Sequence, residues 1–567
     1  MLRTIAPNGA TATKHRLMLF VVLLTFTCLS AQAATLRVPE DHKTIQAAVN
    51  AANSGDTVLV GAGVYQERVR LMPGIILRSA GDDTKGKLGL KRAEATIIDG
   101  GDAKGEGPGA GLRGPGVAMA EGSTLDGFTV TNVGTYDDAA WKKHHATQGE
   151  QQTYAHIGEP GIAGIGVPGV TCTIRNNIVH HIGYTGIGIM GAEGKRCSPL
   201  VTANICYRNM GGGIGSMMGS TAIIRANTCF ENFYAGIGHS ASSPLVIDND
   251  CYGNVRAGIG ISEGSRPIVR GNRCYKNRRA GIGIRTEPET QPIVEDNDCY
   301  ENDMAGIGTR ENAQPVIRNN RCYRNKLAGI GSRTGARPMI VGNECYENER
   351  AGIGQMSGVH SVITGNYSHH NKASGIGFAE GDSGESIVTN NRVIDNAMVA
   401  VGINAGWSVR LSGNELSRKG GLPPIVMVFN GATATFTGNT IRGEGVAGIR
   451  AGGTVRAVNN RFEGLALRKF GPPNFAVWAL GGSDVTLANN RMSTWRHGLF
   501  ADGAQVNVTG NQISNFHRSA IVIRNATKLA NVFDNVGFSD DEAVKVLAID
   551  GPQGVVENNI RKAEADN

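Results

Sequence analysis

Aromatic side chains make up only 5% of the 567 residues, too few for a thick globular core. Charge of one sign is also nearly missing as an excess. Lys and Arg total 56 against 49 Asp and Glu, a formal net charge of +7. Residues 1–33 hold Arg3, Lys14 and Arg16 and no acid, so the remainder carries only +4. That near balance gives no reason to expect nucleic acid as a partner. Long apolar runs are absent too: Leu17 to Thr27 has eleven residues, which cannot span a bilayer as a helix. Helical repeats are excluded between residues 160 and 400, because each repeat carries two glycines, usually a proline, and asparagines around a short strand-like run. The leucine framework that leucine-rich repeats of this length require is missing as well.

What the chain has in abundance is glycine, 80 residues of it, arranged in a repeat. Gly-Ile-Gly begins at Gly164, Gly186, Gly213, Gly236, Gly258, Gly281, Gly306, Gly329, Gly352 and Gly375, mostly 22 to 25 residues apart. A variable stretch, a proline, two apolar residues and Asn-x-Cys-Tyr-x-Asn complete the unit. A period this short means a solenoid. Ile and Val at inward positions, with Gly, Asn and Pro at corners, predict short strands joined by turns. The expected fold is all-β: a single-stranded right-handed parallel β-helix with coils stacked at roughly 4.8 Å. Regular repeats span 160–400 within a helix expected over 71–560. An Asn-x-apolar beat at Asn414, Asn439, Asn460, Asn490, Asn511 and Asn559 extends it toward a short tail, 561–567.

At the start, Lys14 and Arg16 precede the apolar run, and Ala31-Gln32-Ala33 offers a small-residue cleavage pattern. Residues 1–33 therefore read as a signal peptide cleaved after Ala33, which places the product in a periplasm or outside the cell with no transmembrane segment left. Residues 34–70 form an N-terminal cap and the first strands. Asp41 to Asn53 reads as a short amphipathic capping helix, since Ile45, Ala48, Val49 and Ala52 share one face and Gly55 ends it. Such a cap covers the unpaired strand edges at the open end of a β-helix.

That helix, the strand Asp56-Thr57-Val58-Leu59-Val60, the element Gly63-Val64-Tyr65-Gln66-Glu67 and the later Ser123-Thr124-Leu125-Asp126-Gly127-Phe128-Thr129-Val130 resemble the opening coils of pectin-lyase-like and pectin-methylesterase-like β-helix proteins. The resemblance implies the fold over nearly the whole mature chain. Proteins of that superfamily include polysaccharide lyases, hydrolases and epimerases, and a periplasmic protein of nitrous oxide reductase copper maturation, so function stays open. The Arg-x-Pro-x-x-Arg of pectate lyases is absent, Arg266-Pro267-Ile268-Val269-Arg270 having the wrong spacing. Also absent are the paired aspartates with Arg-x-Lys of polygalacturonases and the Asp-Pro-His of alginate epimerases.

Stacking turns sequence columns into ladders. Cys206, Cys229, Cys251, Cys274, Cys299, Cys322 and Cys345 form one column, with Val179 and Val393 at equivalent places, so it points inward as packed thiols, as disulfides between neighbours or as a soft-metal array. Beside it run Tyr207, Phe230, Tyr252, Tyr275, Tyr300, Tyr323 and Tyr346, directed outward by strand alternation. They read either as a sugar-binding platform, centred on Tyr252, Tyr275, Tyr300 and Tyr323, or as a ladder that stabilises the coils. Asp250, Arg273, Asp298, Arg321 and Glu344 alternate in sign, as do Glu301, Arg324 and Glu347, and read as cross-strand pairs. Arg285, Arg310 and Arg333 keep one sign, with Glu263, Glu287 and Glu311 nearby. Like charges at strand spacing repel, which nearby glutamates or an acidic ligand would offset. Asparagines such as Asn204, Asn209, Asn320 and Asn325 read as amide ladders.

Residues 134–160 break the rhythm as an inserted loop. His144, His145 and His156 there are the candidate ligands for a divalent or copper ion, with His180 and His181 close in sequence. Met190, Met217, Met218, His239 and Met356 add side chains that suit copper. Three function classes follow: an exported protein that binds or processes a polysaccharide, acidic if the arginine row is its site; a non-catalytic surface or assembly protein; and a periplasmic metal-handling protein. If the chain is an enzyme, cleavage or epimerisation of an acidic polysaccharide with Arg or Lys as base is the chemistry to expect.

Overall fold

A computed structural model describes residues 33–101, 114–147, 162–381, 383–526 and 528–564. Among these residues, sixty short strands form three parallel sheets that wind along one axis, each strand pairing with the equivalent strand of the next coil. One regular coil runs through Ile259–Ser262, Ile268–Arg270 and Arg273–Tyr275, and the next begins at Ile282–Ile284. The register is strict. Ile259, Ile282, Ile307, Ile330 and Ile353 pair in turn, and so do Cys251, Cys274, Cys299, Cys322 and Cys345.

Each strand of the Gly-Ile-Gly sheet is too short to do more than send one or two side chains inward, so the core is a thin column of Ile, Val and Cys that continues along the chain. The nine cysteines among the described residues are buried and unpaired. Burial pushes the thiols of Cys206, Cys229 and Cys251 well above their ordinary value, which makes them inert fillers rather than thiolate ligands.

Two amide ladders close the corners flanking the cysteine sheet. One runs from Asn177 to Asn559, each Nδ2 donating to the next coil's Oδ1, for example Asn297 to Asn320 at 2.9 Å. The second runs from Asn209 to Asn396 in the same way. In the second ladder Asn325 Nδ2 donates to Asn348 Oδ1 and to the Cys299 carbonyl, both at 3.0 Å, while Asn325 Oδ1 accepts from the Asn302 backbone N–H and Nδ2. A buried polar column is thereby satisfied.

The capping helix, α1, spans Ile45–Ala51 and is shorter than its apolar pattern, because Thr44 adopts an extended conformation and caps it, accepting from Ala47 N–H. Ile45, Ala48 and Val49 are buried beneath it. The carboxylate of Glu67 accepts from Ile45 and Gln46 N–H at 2.9 Å, and Asp56 accepts from Ala34 and Asn53 N–H at 2.7 and 2.8 Å. The two acidic residues of the opening motifs therefore fasten the cap to the first coil. A second short helix, α2, spans Lys91–Ala95, and its Arg92 forms a buried pair with Asp126 at 2.9 Å. In the interval 134–160 the structure has a helix where the sequence suggested only loop: α3, Asp138–Ala146, capped by Asp137 accepting from Ala140 N–H. Residues 148–160, with His156, and residues 1–32, on which the expected signal peptide falls, lie outside the described residues. Among the described residues no helix is long and apolar enough to cross a membrane.

Candidate functional site

The aromatic column is a continuous stack. From His180 through Tyr207, Phe230, Tyr252, Tyr275, Tyr300, Tyr323 and Tyr346 to His369, successive centroids lie 4.8–5.2 Å apart. From Tyr207 onward the ring planes lie within 15° of parallel. Parallel strands in register leave one ring per coil at ladder spacing, so each inner ring has both faces covered by its neighbours. Tyr252, Tyr275, Tyr300 and Tyr323 consequently present ring edges and hydroxyls outward, and a sugar cannot stack on their faces. Burial, then the flanking Tyr275 and Tyr323, push the Tyr300 phenol up to about 12, so the row is neutral and able to donate hydrogen bonds at physiological pH. The alternating charges beside it are paired as expected, Arg273 with Asp250 and Arg321 with Asp298.

Helix α3 lies across the beginning of this stack. Trp141 packs with Met210, Phe233 and Val255 and donates from Nε1 to the Glu231 carbonyl at 2.7 Å. The histidines are taken up by this packing: His145 stacks on Trp141 at 4.6 Å, and His144 meets the edge of Phe233 at 5.0 Å. His180 and His181 pair with each other through Nδ1 atoms 2.7 Å apart, and burial pushes His180 down to about 4. Among the described residues, no group of three or more His, Cys, Asp or Glu is placed to hold a metal ion. His239 is buried in the core, apart from the exposed Met190, Met218 and Met356.

The outward face of the Gly-Ile-Gly sheet is different. The second glycines, from Gly166 to Gly402, pair in register across eleven consecutive coils, a lane about 50 Å long at the usual strand spacing. The first glycine of each step has a packing reason. A Cβ on Gly306 would sit 2.7 Å from the Gly329 carbonyl and 2.9 Å from Asn325 Nδ2. The second glycine has none over much of the lane. From Gly238 to Gly354 a Cβ would meet nothing closer than 3.4 Å. Glycine in a strand costs conformational entropy and is expected where something approaches the backbone closely. Arg285, Arg310 and Arg333 lie two residues beyond these glycines and line the lane as a half-buried row. Arg310 pairs with Glu311 at 3.1 Å.

After Gly402 the same outward column is filled: Met427, Arg450, Trp478 and Phe500 follow in register. Phe475 and His497 sit beside them, Phe475 stacking on Phe500 at 4.7 Å. The Arg450 guanidinium lies 5.2 Å from the Trp478 ring and that of Arg524 5.5 Å from Phe500. The bare lane thus runs into an aromatic and cationic wall. Trp478 and Phe500 are half-buried, with guanidinium groups beside their rings.

Residues 152–289, 280–417 and 423–560 each match the family described as right handed beta helix region. The chain belongs to this right-handed β-helix family. No curated protein matches it. Solved β-helix structures are similar at low identity. The catalytic unit of a thermostable GH87 α-1,3-glucanase from Streptomyces thermodiastaticus is 12% identical, with 62% of this chain and 68% of that one covered and a TM-score of 0.43. A variant of the periplasmic alginate epimerase AlgG is 13% identical over 63% and 76%, with a TM-score of 0.36. The PL6 family alginate lyase AlyGC is 10% identical over 94% and 98%, with a TM-score of 0.28.

Within this β-helix protein, the structure brings Arg285, Arg310 and Arg333 together along the lane and leaves Tyr252, Tyr275, Tyr300 and Tyr323 on the neighbouring sheet. The sequence reading missed Arg450, Trp478, Phe500 and Arg524. Their signal in the sequence is positional: Trp478 and Phe500 fall in the register column of the second glycine.

Proposed function

We propose that this β-helix protein binds an acidic polysaccharide laid along the outward face of the Gly-Ile-Gly sheet. The observation that carries the reading is the glycine lane: from Gly238 to Gly354 it is bare without a packing reason. Lined by Arg285, Arg310 and Arg333, it leads to Trp478 and Phe500 with Arg450 and Arg524 above them. An extended anionic chain on the lane meets the arginine row along its length, and a sugar ring meets the aromatic end. The hydroxyls of Tyr252, Tyr275, Tyr300 and Tyr323 provide a second polar edge on the next sheet. Export belongs to the same reading: with residues 1–33 removed as a signal peptide, the protein meets its glycan in a periplasm or outside the cell.

Electrophoresis of the purified protein through gels containing polygalacturonate or alginate tests the reading. Retardation is expected, weakened about tenfold by Trp478→Ala or Arg310→Ala. Gly308→Leu should abolish it while the fold is kept, because a Cβ there makes only ordinary contact with Ala280 at 3.7 Å. If no uronic-acid polymer retards the protein, or a folded Gly308→Leu protein binds as before, the reading is wrong.

A further inference from the structure

A cleft of about 400 Å³ opens in the last coils beside the aromatic wall, lined among others by Lys469, Arg496, His497, His517, Arg518 and Arg524. Its size suits a monosaccharide rather than a polymer. Asp550 is the only acid on its lining, against four permanent cations. Arg496 is spent on structure: its guanidinium donates to the carbonyls of Arg468 and Phe470 at 2.7 Å and of Pro472 at 2.9 Å. Those bonds hold the 468–472 segment, with Lys469, at the rim. Lys469, Arg518 and Arg524 are exposed, and among the described residues none of them forms a salt bridge. His497 donates from Nδ1 to the Ser519 carbonyl at 2.7 Å. His517 stands with its Nε2 enclosed and without a protein partner, its ring edge toward Phe470 at 5.6 Å.

Four cations that converge on a concavity with one carboxylate, Asp550, repel one another more than that single acid offsets. We infer that this cleft binds an oxyanion, a carboxylate, sulfate or phosphate group, between Lys469, Arg518 and Arg524. The group belongs either to an acidic sugar or to a free inorganic anion. Arg524 borders both the cleft and the aromatic end of the lane, but a small anion reaches the cleft without a polymer on the lane.

Calorimetric titration of the full-length protein at low salt with sodium sulfate, inorganic phosphate and glucuronate tests it. Saturable binding of at least one is expected, weakened about tenfold or more when Lys469→Gln and Arg518→Gln are combined, with the melting temperature unchanged because both side chains are exposed. Arg518→Lys should keep most of the affinity. Glucuronate binding well above sulfate and phosphate identifies a sugar acid as the ligand, and the reverse identifies an inorganic anion. No saturable binding of any of the three, or binding that the double variant leaves intact, would overturn the inference. The Gly308→Leu protein, blocked on the lane, should still bind the small anion, which separates the two readings.

Discussion

At the scale of single residues, the two glycines of one repeat differ in what they tolerate. Gly306→Ala forces a methyl group to 2.7 Å from a carbonyl oxygen of the next coil, an overpacking that costs about 1–3 kcal/mol. Gly308→Ala meets only ordinary contact and should stabilise by about 0.4–1 kcal/mol, by restricting the unfolded chain. Urea denaturation of the two variants should give shifts of opposite sign. His239 makes a pH-dependent prediction. Its imidazole is buried with both nitrogens unpartnered, and burial pushes its pKa down to about 3. The unfolded chain, with an ordinary histidine near 6.5, binds the proton first. Its contribution to stability is therefore complete above about pH 6.5 and lost progressively as pH falls toward 3. Ile261 and Ile284 occupy the same column on the next two coils, so His239→Ile should fit and flatten the acid limb of the stability profile. An unchanged acid limb in that variant would mean that other groups set it.

Among the elements, the asparagine ladders do most to hold coil on coil. Asn325→Leu removes an acceptor for the Asn302 N–H and Nδ2 and a donor to the Cys299 carbonyl and Asn348 Oδ1. Each buried group left unpaired costs about 1–3 kcal/mol, so a loss of at least about 3 kcal/mol is expected in urea denaturation, against little change for the exposed Arg324→Gln. These ladders, the inward cysteines and the alternating Asp250, Arg273, Asp298 and Arg321 were legible in the sequence, because in-register stacking maps a column of letters onto one line in space. Helix α3 was not, since a single turn-rich interval has no column to compare with. Its signal was local: Asp137 three residues before Ala140, in an N-cap position. The way the tyrosines stack was also hidden, because strand alternation says that Tyr275 points outward but not that Tyr252 and Tyr300 cover its faces. The aromatic end of the lane escaped for a third reason. After Asn396 coil lengths vary and the Gly-Ile-Gly letters vanish, so Trp478 and Phe500 occupy the glycine column without a motif to mark it.

Across the whole molecule, a solenoid is nearly one-dimensional: each coil is stabilised by its own packing and by its two neighbours. The distribution of bonds along the axis is uneven. Coils between Asn209 and Asn396 carry both amide ladders, whereas only the first continues to Asn559. Beyond 396 larger side chains, Phe436, Phe462 and Trp495, fill the core instead. At one end α1 covers the first coil and is fastened by Glu67. At the other, the last strands, Gln553–Glu557 and Ile560–Lys562, are exposed along nearly their whole length. Opening free energy should therefore fall toward the C-terminus, since a terminal coil has one neighbour to lose. Hydrogen exchange followed by mass spectrometry should show amides of 206–371 exchanging slowest. Those of 545–562 should exchange at least about a hundredfold faster, since a local opening cheaper by about 3 kcal/mol has that effect. The anion cleft sits against these last coils through Ile549 and Asp550, so a bound oxyanion should slow exchange there by mass action and leave 206–371 unchanged. Uniform exchange along the chain would show instead that the β-helix opens as one unit and that the cleft shares the stability of the core.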